Sequence, residues 1–186
     1  HILQATNLGT WEWNAQTGET VFNERWAQML GYTLDELAPV SIQTWRELAH
    51  PHDLAVSDAR LREHFAGETP RYECEVRVQH KNGSWMWVRD TGQVAEWCSN
   101  GEPLWVYGTH QDITERKQLE ERLEERNREL TMVLDSSPVM IFYKDRDGRH
   151  LLANQALADA VGLPKEQVRG CLTSELFSEE QAAAMA

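Results

Sequence analysis

A helix with the same start and stop signals is written twice in this chain. One copy, NERWAQMLGYTLDEL, begins at Asn23, and the other, NQALADAVGLPKEQV, begins at Asn154. Each opens on an asparagine, a good helix cap, and reaches Gly31 or Gly162, where a helix can end in the left-handed conformation. A β-rich run broken by a turn precedes each copy, and a second short helix signal follows it. Four elements in the same order favour a true repeat over coincidence, and predict two domains of which the second is incomplete.

Charge and cysteine content argue against several classes of partner and compartment. The formal net charge of −12, without a local basic patch, disfavours nucleic acids and anionic membrane surfaces as partners. No apolar run approaches the roughly 18 residues that a membrane span needs. The three cysteines, Cys74, Cys98 and Cys171, are scattered and odd in number. They fit reduced thiols in a cytoplasmic protein better than a disulfide framework.

Alternation of apolar and polar residues predicts a sheet in the second half of the first domain. Tyr72 begins a run in which every second residue is apolar, and Asn82-Gly83 supplies a hairpin turn. A long strand to about Trp97 and one further strand follow. With two strands before the first helices, the pattern predicts an α+β architecture: an antiparallel sheet of about five strands with helices on one face.

Residue parity along these strands predicts two different faces of the sheet, provided that no bulge shifts the register. The aliphatic face would carry Met86, Val88, Val94, Leu104 and Val106. The opposite face would carry Trp85, Trp87, Trp97, Trp105 and Tyr107. Because water on that side would select polar residues, we expect a helix or a second subunit to cover the aromatic face. The alternative is that these aromatic rings only cover their neighbours within the sheet.

A charged segment without Gly or Pro predicts a helix over residues 115–135. Leu119, Leu123, Leu130 and Val133 follow the spacing of a short coiled-coil seam. Arginines interrupt the same register, so the pairing should depend on the domains at its ends. The alternative is a single solvated linker helix.

A combination of motifs in this chain resembles the PAS domain family. The segment YECEVRVQHKNGSWMWVRDTGQVAEWCSNGEPLWVYGTHQDITERKQLEERL is similar to the C-terminal half of a PAS domain. The matching residues are Glu75, Arg77, the Asn-Gly hairpin, Trp87-Val88, Gly92, Gly101, Gly108 and Asp112-Ile113-Thr114. GTWEWNAQTGETVFNERWAQMLGY and the junction His50-Pro51-His52-Asp53 resemble its N-terminal half. The resemblance covers residues 1–114 as one complete domain, and 136–186 as the front part of a second one.

The PAS resemblance implies sensing rather than catalysis. Such domains hold a small ligand between the helices and the inner sheet face, or hold none and dimerise, and they usually precede histidine kinases, diguanylate cyclases or similar output domains. We therefore expect a cytoplasmic, homodimeric sensory module that passes its state to an output domain through the helix of 115–135. The relay would use Asp112, Ile113, Thr114, Leu119, Leu123 and Leu130. The alternative function is a ligand-free module that binds a protein partner through the tryptophan-rich sheet face.

The same resemblance places a ligand pocket between the helices and the sheet. The candidate pocket residues are Trp11, Trp26, Trp45, Met86, Val88 and Val106. An empty site or a small apolar ligand is the first expectation, and a noncovalent flavin the second, since indole rings could form an aromatic pocket. In the light-sensing subclass a cysteine on the intervening helices attaches the flavin. No cysteine lies between His1 and Arg71, which excludes that photochemistry.

No catalytic or metal-binding constellation is present in the sequence. There is no Gly-rich phosphate loop, Cys-x-x-Cys pair or nucleophile elbow. His50 and His52 flank a proline at a helix start, which indicates a turn rather than a metal site. His64 lies on the helix that carries the axial ligand in haem-binding PAS domains, but a single histidine there is more often a surface residue, so haem is the weakest expectation. This helix should be capped by Asp53 and closed by Gly67.

Overall fold

The computed structural model describes residues 8–177 and contains two compact units, His1–Gln118 and Leu119–Ala186. The predicted domain ranges also include residues 1–7 and 178–186, which lie outside the described residues.

The first unit is built on the predicted five-stranded antiparallel sheet, which the structure confirms. Its strands are β1 Gly9–Asn14, β2 Thr20–Phe22, β3 Tyr72–Gln79, β4 Trp85–Trp97 and β5 Pro103–Asp112. They lie in the order β2-β1-β5-β4-β3. Four helices lie between β2 and β3 in the chain: α1 Glu24–Met29, α2 Leu34–Leu37, α3 Ile42–Leu48 and α4 Pro51–Phe65. The inner sheet face and these helices enclose the hydrophobic core.

The alternating residues of β3 and β4 face this core as predicted. Every second residue of β3 from Tyr72 to Val78 is buried, and so are Met86 and Val88 on β4. The register of β4 against β5 slips between Val94 and Trp97, so the condition of an unbroken register does not hold at the end of β4.

The indole of Trp11 lies across two glycines on neighbouring strands. Gly92 and Gly108 pair directly between β4 and β5, and Gly108 also pairs with Trp11 between β5 and β1. A Cβ atom at Gly108 would lie 2.1 Å from the Trp11 ring and 2.3 Å from the carbonyl oxygen of Thr91. These two glycines of the PAS-like motif therefore make room for a ring rather than form turns.

Asp53 does not cap α4, which corrects the sequence-based expectation. The N-cap is His50, whose Nδ1 accepts a hydrogen bond from the backbone N–H of His52, and Pro51 occupies the first turn. Asp53, in the first turn of the helix, accepts from Nε, a terminal nitrogen and the backbone N–H of Arg77 at 2.8, 2.8 and 2.9 Å. Asp53 thus binds a partner on β3 instead of the helix backbone, and the bidentate Arg77 ties the start of α4 to that strand.

The hydrogen bonds from Arg77 hold the pKa of Asp53 well below its ordinary range, although burial opposes them. We expect Asp53→Asn to lower the free energy of unfolding at pH 7 by about 2 kcal/mol. A depressed carboxylate pKa stabilises the fold fully above the unfolded-state pKa of about 4, and this contribution disappears as the pH falls toward the folded-state pKa. Wild type should therefore lose more stability between pH 7 and pH 3 than D53N does, as measured by urea unfolding at both pH values.

Asp58→Asn is the matched control for this prediction. Asp58 also binds an arginine, Arg46, but both side chains are substantially exposed. Such surface pairs contribute about 0–1 kcal/mol. Equal losses in D53N and D58N at pH 7 would contradict the role given to Asp53.

A long helix, α5 Thr114–Ser136, follows the sheet, which confirms the helix predicted over 115–135. The second unit continues with the hairpin β6 Phe142–Lys144 and β7 His150–Ala153. Three short helices follow: α6 Gln155–Val161, α7 Lys165–Val168 and α8 Thr173–Leu176. Gly31 after α1 and Gly162 after α6 both have positive φ angles, +80° and +66°, as the repeated pattern predicted.

The two asparagines of the repeated pattern make the same kind of hydrogen bonds in the two units. The side-chain oxygen of Asn23 accepts from the backbone N–H groups of Trp26, in the first turn of α1, and Thr10, on β1. One side chain thus caps a helix and joins it to the strand that precedes it.

Asn154 repeats this arrangement and is fully buried. Its oxygen accepts from the backbone N–H groups of Leu157 and Ile141, at 3.2 and 2.9 Å. Its side-chain nitrogen donates to the carbonyl oxygens of Leu134 and Val139, at 3.0 and 2.8 Å. All of the hydrogen-bonding capacity of this amide is used.

Candidate functional site

A cavity of about 60 Å³ lies in the first unit between the inner sheet face and helices α3 and α4. Indole rings of Trp11, Trp13 and Trp45 form much of its wall, and Asp90 and His110 contribute polar atoms. Pockets for drug-sized ligands and cofactors usually measure about 300–1,000 Å³. The cavity therefore suits a molecule of a few non-hydrogen atoms, and a flavin ring system does not fit this arrangement of side chains.

The structure brings only part of the predicted pocket set to the cavity. Trp11 and Trp45 line it. The other predicted residues are buried in the adjoining core and do not line it: Trp26, Met86, Val88 and Val106. Asp90 and His110 also line the cavity and were not among the residues predicted from the sequence. Both have the parity of the inner face, which Met86 and Val106 also have, so the same pattern could have found them.

Asp90 is the centre of a buried hydrogen-bond network. Its Oδ1 accepts from Nε1 of Trp11 at 2.9 Å and lies 3.0 Å from Nε2 of His110. Its Oδ2 accepts from the hydroxyl of Tyr72 at 2.9 Å. The carboxylate is almost inaccessible to solvent, and these three contacts come from β1, β5 and β3. One side chain thus connects four strands of the sheet.

The direction of the hydrogen bond between His110 and Asp90 follows from Trp26. Its indole Nε1 lies 2.7 Å from Nδ1 of His110. Because an indole nitrogen can only donate, Nδ1 accepts, and the proton of the neutral imidazole is on Nε2, which faces Asp90. All three partners of Asp90 are therefore uncharged donors.

Tyr72 extends the network to helix α4. Its hydroxyl lies 2.9 Å from the hydroxyl of Ser57, and since Tyr72 donates to Asp90, Ser57 donates to Tyr72. Burial, reinforced by the charge of Asp90, raises the pKa of Tyr72 well above its ordinary value, which keeps the phenol protonated as a donor.

At the rim of the cavity Arg46 on α3 and Asp58 on α4 form a two-pronged ion pair at 3.2 and 2.9 Å.

His64 is not the surface residue that the sequence suggested. It is buried, and its Nε2 accepts from the backbone N–H of Val94 at 3.2 Å while Nδ1 donates to the carbonyl of Thr69 at 3.0 Å. Both ring nitrogens are used, so neither is available to bind haem iron. The sequence-based interpretation failed because a histidine whose two ring nitrogens both bond to the backbone can be buried at low cost, and one of these partners, Val94, is distant in sequence.

Within residues 8–177 no group of three or more His, Cys, Asp or Glu side chains is arranged to hold a metal ion. None of the helices in this part of the chain has both the length and the apolar character of a membrane span.

The outer face of the sheet is aromatic and partly exposed. Trp85 and Trp97 are 44% and 48% exposed, and Tyr107 is 36% exposed. Trp87 and Trp105 are half-buried. The shifted register still pairs Trp97 with Pro103, which has the parity of Trp105 and Tyr107, so the five aromatic residues remain on one face.

The residues Asp112, Ile113 and Thr114 join the sheet to helix α5. Ile113 is buried, and its backbone N–H donates to the carbonyl oxygen of Trp87 at 2.9 Å. The hydroxyl of Thr114 accepts from the backbone N–H of Trp87 at 3.0 Å. Asp112 accepts from the backbone N–H of Thr114 at 2.8 Å. The start of α5 is therefore bonded to both backbone groups of one β4 residue.

Two cations in the first turn of α5 reinforce this junction. Lys117 and Arg116 both form ion pairs with Glu75 on β3, and Lys117, followed by Arg116, holds the pKa of Glu75 below its ordinary range. The ammonium of Lys117 also lies 5.0 Å from the ring centroid of Trp87. Farther along α5, Leu119, Leu123 and Leu130 are exposed. The first three predicted relay residues thus form a hydrogen-bonded junction between the sheet and α5. The other three form an exposed apolar stripe along α5.

Comparison with known proteins matches both units to one family. Models described as PAS fold match residues 19–110 and residues 134–186. A crystal structure of a sensory box histidine kinase/response regulator from Burkholderia thailandensis is 31% identical. It superposes with a TM-score of 0.61, covering 69% of this chain and 93% of that one.

Two longer relatives cover most of this chain. The probable diguanylate cyclase DgcE of Escherichia coli is 24% identical over 90% of it, and a blue-light-activated histidine kinase of Brucella ovis is 26% identical over 98%. The chain spans only 15% and 33% of the lengths of these two proteins.

Proposed function

Since this chain belongs to the PAS family, we propose that it is the sensory and dimerisation module of a longer signalling protein. Its relatives are sensor domains of histidine kinases and diguanylate cyclases, and the output domain of this protein would be of one of these types. The three thiols, which are unpaired, fit a cytoplasmic location. In this proposal the chain itself detects and relays, and catalysis takes place in the output domain.

The closeness of the cavity to the helix junction carries this proposal. Asp90 lies on β4 three residues after Trp87, which holds the start of α5. His110 lies on β5 two residues before Asp112, and Asp112 pairs with Val88 across the two strands. A change at Asp90 or His110 is therefore separated from the first turn of α5 by only two or three residues along two paired strands.

The relay would begin with a ligand that alters the bonds of Asp90 or His110. Because β4 and β5 pair without a register shift from Val88 to Val94, a displacement of either strand would move both. Trp87 would pass this displacement to Ile113 and Thr114 through backbone bonds. A helix that is anchored at its first turn transmits such a movement instead of absorbing it.

Dimerisation would use surfaces that one chain leaves exposed. The side chains of Leu119, Leu123 and Leu130 are between 54% and 63% exposed along one seam of α5. Trp85 and Trp97 add exposed aromatic area on the sheet. A second copy that covers both surfaces would explain why apolar residues occupy them.

The ligand in this proposal is a small molecule, and an empty site is the alternative. A noncovalent flavin remains the less favoured cofactor, because the network residues would have to separate to admit it. The exposed Trp85 and Trp97 also favour a second candidate function, in which the sheet face binds a different protein without any ligand.

Changing the length of α5 tests the relay in the full-length protein. Two residues inserted after Glu121 turn the chain beyond them by roughly 200° about the helix axis, and seven inserted residues nearly restore the original phase. We expect the two-residue insertion to change signal-dependent output by at least about fivefold, and the seven-residue insertion to retain it. Output would be measured as the kinase or cyclase activity of the full-length protein.

Sedimentation analysis of both insertion variants serves as the control, since each should keep the oligomeric state of the wild type. Equal outputs from the wild type and both variants would contradict a relay through α5.

A further inference from the structure

We propose that the cavity of the first unit binds a small primary amine in its protonated form, with Asp90 as the counter-charge. The proposal deepens the sensory function proposed above, and rests on it for its biological meaning. The binding itself follows from the charge, walls and size of the cavity.

Among the described residues of the first unit, no cation contacts the buried carboxylate of Asp90. Its partners Trp11, Tyr72 and His110 are uncharged donors, because Trp26 fixes His110 in the neutral tautomer. A carboxylate removed from water without an opposite charge is costly. A cation that enters the cavity would recover part of this cost.

The carboxylate of Asp90 also has room for another donor. Two carboxylate oxygens offer about four acceptor positions, and the network fills three of them. Among the described residues Oδ2 accepts only from Tyr72, so the unfilled position is on this oxygen. The guanidinium of Arg46 also lines the cavity, but it is engaged in its bidentate pair with Asp58. An ammonium group supplies both the missing charge and the missing donor.

The cavity walls suit a cation that has a short hydrocarbon part. Trp11, Trp13 and Trp45 present indole rings to the cavity. Aromatic faces attract cations, most strongly when the cation has been removed from water. An anion would be repelled by Asp90, and a neutral molecule would leave its charge uncompensated.

The position of Trp13 indicates which class of primary amine would bind best in the cavity. Its indole Nε1 is buried and has no hydrogen-bond partner within residues 8–177, although the residue lines the cavity. A buried donor without a partner costs about 1–3 kcal/mol. An amine that also carries a hydroxyl oxygen could accept from Trp13 and donate to Asp90. The volume of about 60 Å³ limits such a ligand to a short amino alcohol.

Three probes of matched size separate these contributions. Ethanolamine has the charge and the oxygen, n-propylamine has only the charge, and ethylene glycol has only the oxygens. Calorimetric titration of the 186-residue chain at pH 7 and constant ionic strength should show saturable binding of ethanolamine, weaker binding of propylamine, and no saturable binding of ethylene glycol.

Asp90→Asn removes the charge with little change in shape. The asparagine oxygen can still accept from Trp11 and His110, and its nitrogen can donate to Tyr72, which then donates to Ser57. We expect D90N to weaken ethanolamine binding at least about 30-fold, the factor that corresponds to losing one partner of a buried charge pair. Glu12→Gln, which removes an exposed carboxylate of β1 that does not line the cavity, should retain binding within about threefold.

Trp13→Phe keeps the fold and the charge of Asp90, and provides a test even if D90N does not fold. This variant should abolish the preference for ethanolamine over propylamine. The proposal is overturned if ethanolamine does not bind, if ethylene glycol binds equally well, or if folded D90N binds ethanolamine as the wild type does. If the output responds to the α5 insertions but the chain does not bind amine, this inference is overturned and the proposed relay stands. The two results can be separated because the titration requires no output domain.

Discussion

Gly108→Ala is expected to unfold the first unit, or to lower its free energy of unfolding by at least about 3 kcal/mol. The added methyl group would lie 2.1 Å from the ring of Trp11 and 2.3 Å from the carbonyl oxygen of Thr91. The ring is held by its bond to Asp90, and the carbonyl belongs to the β4 backbone, so neither can move away cheaply. Urea unfolding followed by circular dichroism measures the loss.

Gly83→Ala separates the steric effect from the conformational one. Gly83 has a φ of +87° and no atom within 4 Å of an added Cβ, so alanine there incurs only the cost of a left-handed conformation, about 1–2 kcal/mol. Gly108 does not have a left-handed conformation, so the free-energy cost of alanine at that position comes from steric contact alone. If G108A were as stable as G83A, the close packing of Trp11 on Gly108 would be wrong.

Asn154→Ala is expected to unfold the second unit, at a cost of about 3 kcal/mol or more. The substitution removes four hydrogen bonds and leaves two backbone N–H groups and two carbonyl groups without this partner. A small unit with a two-stranded sheet has few other contacts with which to offset the loss. Hydrogen exchange monitored by mass spectrometry should show lost protection in β6, β7 and α6, with the first unit unchanged.

Asn100→Ala is the matched control, because Asn100 lies in an exposed turn and bonds only to nearby Glu102 among the described residues. It should change stability by no more than about 0.5 kcal/mol. If N154A kept its protection from hydrogen exchange, the hydrogen bonds of Asn154 would not be what stabilises the second unit.

Local signals in the sequence were enough to predict most of the elements. Asn23 and Asn154 predicted two helix starts, Gly31 and Gly162 predicted the ends, and the structure confirms all four. These residues act on backbone groups close in the chain, so their effect can be read from a short pattern. The alternation in β3 and β4 was equally direct, because a side chain on a strand has only two faces available.

Contacts between distant segments could not be predicted in the same way. Asp53 looked like a cap because it lies at a helix start, yet its main partner is Arg77 on β3. His64 looked like a surface residue, yet it bonds the backbone of Val94. Which polar residues find buried partners depends on the tertiary arrangement, which a one-dimensional pattern does not specify.

The candidate site shows the same division. Trp11 and Trp45 were assigned to the cavity from composition and family resemblance, whereas Asp90 was overlooked because a charged residue among apolar ones looks like a solvent position. Only the geometry shows that Trp11, Tyr72 and His110 all donate to it.

The bonded indoles also equip the protein with natural spectroscopic labels. The N–H protons of Trp11 and Trp26 lie inside the network, where one is donated to Asp90 and the other to His110, whereas Trp85 and Trp97 are partly exposed. Buried, bonded protons exchange slowly with solvent, and their magnetic resonance frequencies depend on the partner atom. Occupancy of the cavity should therefore be visible at two resonances, without any introduced probe.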